Sequence, residues 1–457
     1  MYLSALARQA GHEVRLVIED ARPNNKAIRA FDPDIIAFSV TTGTHIWALE
    51  RATELKQTGR AIIVMGGPHA TYYPEVILHP ALDIIFRGES EYPFLTFLDR
   101  LDHRIDWFDI PNTWVKDGPT LIRNALSDLI ENLDDLPPPD RTVYYDPYPY
   151  FRNNENKAFI SGRGCPFSCT YCSIAGLREL YRGKGRFVRF HSPERVIQEI
   201  VEVRDRYGLR TVIFQDDTFI IGNDRLENLL SLYARHVKLP FVCHIRADLL
   251  TRNIARDLKT AGCHSVDFGV ESGDERLRAD VLGKPITDEQ LLTAAGYLHD
   301  AGIPFRTTNM FGLPGETIDQ AWHTVKLNQV LGTRFPSSSI YQPYPRTALG
   351  DRVIETGLAG KDYSVDSIGS TFFRTSLLDG KDKNSFINLQ KLFWPAVRFP
   401  SINRIIRKMI LLRPNPVYEF IFLLCYAINY ALSERVSLRH VLNIGRRTAR
   451  TVFFGKL

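Results

Sequence analysis

The sequence predicts an α/β protein in three parts: an N-terminal doubly wound, Rossmann-like domain, a partial (β/α)6 barrel of the TIM type, and a helical C-terminal domain. Three observations carry that expectation. Helix-period and strand-period segments alternate from Tyr2 to Phe86; a proline-rich break follows at Leu133-Asp-Asp-Leu-Pro-Pro-Pro-Asp140; and six further strand patterns separated by amphipathic segments begin at Lys157. Beyond about Leu349 the alternation stops and basic, apolar helical patterns take over. A chain of 457 residues exceeds what one hydrophobic core organises, and its 44% hydrophobic and 24% charged residues exclude a fibrous or wholly disordered protein.

In the first part, residues 1–125, Tyr2–Ala10 reads as a helix closed by Gly11, Glu13–Ile18 as a strand, and Asn25–Phe31 as a helix. Asp34–Ser39 is a strand, Ile46–Thr58 a helix closed by Gly59, Ala61–Met65 a strand running into Gly66-Gly67-Pro68, and Asp83–Phe86 a strand running into Gly88-Glu89-Ser90-Glu91. Small and polar residues thus follow the strands where an open α/β sheet binds ligands, outside the carboxyl ends of its strands. A sheet of this kind normally begins with a strand ahead of its first helix, but Met1 opens directly on the helix. The expectation is a domain lacking its first strand, with an apolar strand of about five to six residues encoded upstream of Met1.

Residues 126–154 form a linker, because its prolines fix φ and remove backbone donors. The second series, residues 155–350, places strands near Ala158–Ser161, Thr211–Gln215, Phe241–Ile245, Ser265–Val270, Phe305–Met310 and Ser338–Tyr341. Helical periodicity covers Pro193–Tyr207, Asp224–His236, Asp288–Ala301 and Ile318–Leu331. Such barrels do their chemistry at the carboxyl ends of the strands. Residues 351–457 form the third part.

After the first of these strands comes Gly164-Cys165-Pro-Phe-Ser-Cys169-Thr-Tyr-Cys172, a C-x3-C-x2-C loop holding three of the six cysteines. Three thiolates on one short loop suit three irons of a cubane cluster and leave the fourth iron open, whereas an electron-transfer cluster has a fourth protein thiolate. A zinc site would need a fourth Cys or His, for which Cys243, Cys263 and His191 qualify by residue type. Six cysteines are too few for a secreted disulfide scaffold.

Ser161-Gly-Arg-Gly-Cys165 through Cys172, with Tyr171 before the last cysteine, resembles the cluster loop of the radical S-adenosylmethionine (SAM) superfamily. With Gly66-Gly67-Pro68-His69-Ala70, Gly88-Glu89-Ser90-Glu91 and Leu133–Pro137 upstream, the order of parts resembles the subfamily that carries an N-terminal cobalamin-binding domain. That subfamily includes cobalamin-dependent methyltransferases and the anaerobic magnesium-protoporphyrin monomethyl ester cyclase. The resemblance spans about Tyr2 to Leu349 and implies three cofactors: a 4Fe-4S cluster on Cys165, Cys169 and Cys172, SAM chelating the open iron, and cobalamin. It implies an external electron donor such as flavodoxin or ferredoxin, and a small-molecule substrate.

By the same resemblance, Asp216 and Asp217 in Gln215-Asp-Asp-Thr-Phe219 meet the SAM amine, unless they merely cap the helix that follows. Arg246, Glu271 and Ser272 end the third and fourth strands where the family contacts the SAM carboxylate and ribose; a buried Arg–Glu pair is the alternative. Gly312 in Met310-Phe-Gly-Leu-Pro-Gly-Glu-Thr317 sits beside the adenine, and Arg346 stands where a glycine is common. Ser39, Thr41, Thr42, Gly66, Gly67, His69, Gly88 and Glu89 would line the cobalamin crevice. There is no D-x-H-x-x-G sequence to supply a lower cobalt ligand, and His69 reads as a loop histidine.

The formal net charge of +5 is unevenly spread, for Lys381–Leu457 carries 14 Lys and Arg against 3 Asp and Glu. Arg alternates there with Ile, Leu and Phe, as in Ile402-Asn-Arg-Ile-Ile-Arg-Lys-Met-Ile-Leu411. Packing on the barrel, peripheral contact with an anionic membrane, or clasping an acidic substrate all suit that pattern; nucleic acid is not expected, because the apolar content is too high for a solvated basic arm. The longest apolar run, Phe420–Leu432, carries Asn429 and is too short to span a bilayer. With no export segment at Met1, a cytoplasmic location is expected.

Overall fold

The fold comes from a computed structural model that describes residues 1–18, 24–360, 363–369 and 371–436. The N-terminal sheet is built from β1 (Ile35–Ser39), β2 (Ile62–Gly66) and β3 (Ile84–Phe86), all parallel, and from β4 (Thr113–Asp117) and β5 (Thr120–Arg123), which continue it antiparallel in that spatial order. Ile63, Met65 and Ile85 face the helix His45–Thr58 through Ala48, Ala52 and Leu55; Val64, Ile84 and Phe86 face the helices Tyr2–Gln9 and Glu91–Asp102 through Ala7, Phe97 and Leu98. Two covered faces explain why these strands read as continuous Ile/Val runs.

Glu13–Ile18 is not a strand. The linker's Tyr148 hydroxyl donates to the Leu16 carbonyl at 2.8 Å and accepts from the Ile18 N–H at 2.9 Å, taking up backbone groups that a neighbouring strand would otherwise satisfy. β1 is consequently an edge of the sheet among the described residues. The β4–β5 hairpin at the opposite edge, turning at Gly118-Pro119, was not anticipated.

The second sheet is all parallel, in the order β13-β12-β11-β10-β9-β6. Its strands are β6 (Asn156–Phe159), β9 (Thr211–Phe214), β10 (Phe241–Ile245), β11 (Cys263–Glu271), β12 (Phe305–Phe311) and β13 (Phe335–Ile340). Between β6 and β9 lies a ribbon of β7 (Gly162–Arg163) and β8 (Arg189–Phe190), which brackets the cysteine loop. The six expected strands are present, each within a few residues of its sequence pattern. The helix Lys383–Arg398 covers the open β13 side: Phe386, Leu389, Leu392 and Phe393 pack with Phe311, Trp322 and Ile340, and the Gln390 side chain bonds the Ser338 carbonyl at 3.0 Å. The helices Asn403–Met409 and Pro416–Ser433 follow; the remainder of the expected C-terminal helical run lies outside the described residues.

Candidate functional site

The cysteine loop leaves the ribbon at Gly164, whose φ of +88° is one that side chains avoid; a Cβ there would lie 2.4 Å from the Phe187 carbonyl. Mid-loop, Thr170 is threaded into the barrel: its N–H bonds Leu282 O at 2.9 Å, its hydroxyl Val281 O at 2.6 Å, and its carbonyl accepts from Leu349 N–H at 2.9 Å. Cys165, Cys169 and Cys172 are free thiols, each half-buried. Among the described residues no three His, Cys, Asp or Glu side chains gather tightly enough to hold a single metal ion. Three free thiols with no fourth ligand fit a cubane, which spreads its thiolates over separate irons. Burial, then the neighbouring Cys169 and Cys165, holds the Cys172 thiol above its ordinary pKa, a cost that a cationic cluster reverses.

Arg246 lies against this loop. Its guanidinium sits 3.6 Å from Cys169 Sγ and 3.8 Å from the centre of the Phe167 ring, and its Nε donates to Asp248 at 2.8 Å. Glu271, at the end of β11, takes the left-handed φ of +65°. It accepts from Tyr171 Oη at 3.1 Å and Lys284 Nζ at 3.0 Å, so a residue from the cysteine loop and a buried lysine share one carboxylate. Gly269 makes this possible, because a Cβ there would lie 1.8 Å from the Glu271 carboxylate. Lys284 was not anticipated; a lone lysine after Leu282-Gly283 gave no signal that its amine turns inward.

The two aspartates separate. Asp216 is buried and faces backwards, accepting the Ser161 N–H at 3.1 Å and the Ser161 hydroxyl at 2.6 Å, with Arg225 beside Ser161. Its carboxylate ties β9 to the base of the cysteine loop. Asp217 is exposed, yet desolvation raises its pKa. Ser272 is also withdrawn: fully buried, it accepts the Asp274 N–H at 3.2 Å and shapes the turn after β11. Gly312 adopts φ +73°, with its N–H held at 2.7 Å by Glu316, and no atom lies closer than 3.8 Å to where its Cβ would stand. Arg346 adopts φ +60°, the conformation glycine takes at no cost, and is held by Asp351 at 2.7 Å and Glu75 at 2.9 Å.

In the N-terminal domain Ser39, Thr41, Thr42, Gly66, Gly67 and Gly88 all keep accessible surface at the carboxyl ends of β1, β2 and β3. Gly67 (φ +92°) packs so closely that a Cβ would approach Val40 backbone atoms to 2.9 Å, and Gly88 leaves room for the Tyr181 ring. His69 is buried, not a loop histidine open to the crevice: it stacks on His45 (4.1 Å between centroids) and Tyr73 (5.1 Å) and bonds Thr42 at 3.2 Å. His45 in turn pairs with Asp366 of the C-terminal part at 2.9 Å.

Burial, then His45, lowers the His69 pKa to about 4, so the folded protein resists a proton that the unfolded chain accepts near pH 6.5. Stability is therefore expected to fall as pH drops from about 6.5 toward 4, and His69→Gln to flatten that slope in pH-dependent chemical denaturation.

Glu89 departs furthest from expectation. Its carboxylate takes Arg189 bidentately at 2.6 and 2.9 Å, Arg163 at 3.1 Å and the Ile130 N–H at 3.2 Å, while Arg163 also pairs with Glu91 at 2.6 Å. It is a clamp between the N-terminal domain and the ribbon under the cysteine loop.

A parallel barrel with three free thiols on the loop after β6, packed against a doubly wound domain, has the donors and architecture of an iron–sulfur enzyme with an accessory domain. Residues 159–327 match the family described as Radical SAM superfamily, and residues 1–98 match the B12 binding domain. An uncharacterized methyltransferase of Pyrococcus horikoshii is 30% identical over 370 residues, 78% of each chain. The anaerobic magnesium-protoporphyrin IX monomethyl ester cyclase of Rubrivivax gelatinosus is 26% identical, over 77% of this chain and 66% of that one. The radical SAM methyltransferase TsrM from Kitasatospora setae, solved with cobalamin and a [4Fe-4S] cluster bound, shares the fold: TM-score 0.65 at 17% identity, over 79% of this chain and 72% of that chain. The chain belongs to the cobalamin-binding branch of the radical SAM superfamily, and its cofactors are a 4Fe-4S cluster, SAM and cobalamin.

Proposed function

We propose that the chain is a cytoplasmic methyltransferase that moves a methyl group from cobalamin to a carbon of a small-molecule substrate. The observation that carries this reading is the Glu89 clamp, which holds the glycine-lined edge of the N-terminal sheet against the ribbon that carries the cysteine loop. When bound, the cluster and SAM supply a hydrogen-abstracting radical, and cobalamin supplies the methyl group. Cys165, Cys169 and Cys172 hold the cluster; Arg246 orients the SAM carboxylate beside Cys169; Glu271, fixed by Tyr171 and Lys284, faces the ribose; and Gly312 leaves room for the adenine. Ser39, Thr41, Thr42, Gly66, Gly67 and Gly88 receive the corrin and its tail. The electron comes from an external donor such as flavodoxin or ferredoxin.

The test is anaerobic reconstitution with iron, sulfide and hydroxocobalamin, followed by assay for 5′-deoxyadenosine and S-adenosylhomocysteine. Both products support methyl transfer. Deoxyadenosine alone favours oxidative cyclisation, the activity for which the Rubrivivax relative is named.

The separation of the two aspartates gives a sharper expectation than either alone. Asp217→Ala weakens SAM binding roughly ten- to a hundredfold, the loss of one charge-assisted hydrogen bond of about 1.5–3 kcal/mol, and leaves the melting temperature unchanged. Asp216→Ala lowers the melting temperature instead, because Ser161 and Arg225 lose their buried partner. Isothermal titration of the reconstituted protein and a thermal melt separate the two; identical behaviour of the pair contradicts the assignment.

A further inference from the structure

The helix Pro416–Ser433 is turned inside out relative to a helix at a protein–water boundary. Tyr418, Phe422, Cys425, Asn429 and Ser433 face the protein. Val417, Phe420, Leu424, Ile428 and Leu432, at the same helical spacing, face outward, with exposures from 40% at Ile428 to 62% at Phe420. Leu411 and Leu412 extend this stripe into the preceding turn. An exposed apolar stripe of this length, on a helix whose other face is already packed through Tyr418, Phe422 and Cys425, marks a contact surface.

Charge decides what the surface contacts. Arg404, Lys408 and Arg413 are exposed on the adjoining segment. At the other end of the stripe Leu432 enters a cavity of about 310 Å³ lined by Arg210, His264, Arg334 and Arg435. Arg210 shares Glu155 at 3.5 Å, but among the described residues no carboxylate pairs with Arg334 or Arg435. The local field is positive enough that Arg435, Arg334 and Lys259 add to burial in lowering the His264 pKa. Residues 437–457, which follow directly, contain five Lys and Arg and no Asp or Glu.

The whole helix, longer than its apolar run Phe420–Leu432, reaches the length and composition of a membrane span. It is held along the barrel instead: Asn429 donates to Pro336 O at 2.9 Å, Ser265 donates to Ser433 O at 2.8 Å, and Glu419 pairs with Lys391 at 2.7 Å. A helix with one face so tied lies in the plane of an interface.

We propose that this face docks on an anionic phospholipid bilayer, with the stripe sunk to the boundary between headgroups and acyl chains and a lipid phosphate seated in the Arg334–Arg435 cavity. The inference deepens the peripheral membrane contact expected of the basic C-terminal part and is independent of the reaction proposed above.

The experiment is flotation of the full chain with vesicles of phosphatidylcholine alone and vesicles containing phosphatidylglycerol. The expected result is at least about tenfold greater recovery with the anionic vesicles, weakened by salt. Phe420→Ser with Leu424→Ser abolishes recovery on both; Arg334→Glu with Arg435→Glu removes the anionic preference. Both variants melt with the parent, since all four side chains are exposed. No flotation of the parent, or variants that float like it, overturns the proposal. So does a parent that fails to float and is dimeric in gel filtration, turning monomeric on Phe420→Ser, because the stripe then faces a second copy.

Discussion

Alanine at Cys165, Cys169 or Cys172 is expected to abolish the visible absorption of the reconstituted cluster, one substitution at a time. Each thiolate would hold a different iron, and among the described residues no three His, Cys, Asp or Glu side chains gather into an alternative ligand set. The other three cysteines are the control. Cys243 and Cys263 lie in the barrel core, where burial raises the Cys243 thiol far above its ordinary pKa; Cys425 lies on the buried face of the helix Pro416–Ser433 with its thiol pushed up to about 11. Buried cysteines of this kind behave as small hydrophobes. Alanine at any of these three should therefore retain the parent iron content. Iron analysis of the six variants, after anaerobic reconstitution and desalting, checks the division. Parent-level iron in any one of the three loop variants removes the cluster assignment.

The cluster loop was legible in the sequence because everything that defines it is local: three thiols, their spacing, and a strand just before them. The six barrel strands were legible for a related reason, since burial on both faces writes itself as apolar runs such as Thr211-Val-Ile-Phe214. What was not legible depends on partners far along the chain. Asp216 and Asp217 are neighbours in sequence, yet one turns back to Ser161, 55 residues earlier, and the other faces outward. Glu89 sits in a glycine-rich stretch after a strand, where a ligand contact is the natural expectation, but its arginine Arg189 is 100 residues away. Glu13–Ile18 had strand periodicity without a neighbouring strand, and a tyrosine from the linker took its hydrogen bonds. In each case the partner that decides the side chain's or segment's place comes from a distant part of the chain, which local residue type and periodicity do not show.

The Glu89 clamp leads to the second large effect. Arg189 is 3% exposed and Glu89 14%, so the pair is withdrawn from water, and removing one member leaves a buried charge without compensation. Glu89→Ala is expected to cost about 3–5 kcal/mol, measured by chemical denaturation at neutral pH. Glu89→Gln keeps the shape but not the charge, and should fall between. The consequence extends to the cluster, because Arg163 and Arg189 lie on the two strands of the ribbon from which the cysteine loop departs. The variants should therefore lose reconstituted iron faster than the parent on dilution, although no cysteine has been touched. Acid reports on the same clamp. Burial alone would raise the Glu89 pKa, but the hydrogen bonds and charges of Arg189 and Arg163 hold it below the usual glutamate value. A carboxylate with a depressed folded pKa contributes stability above its unfolded pKa and loses it as pH falls through the folded one. The parent should thus lose this part of its stability below the ordinary glutamate range, and Glu89→Ala should lack that step. A Glu89→Ala protein with parent stability and parent iron retention would mean that the two domains are joined by other contacts, such as Tyr73 to Pro345 and Arg346 to Glu75, and that the clamp is incidental.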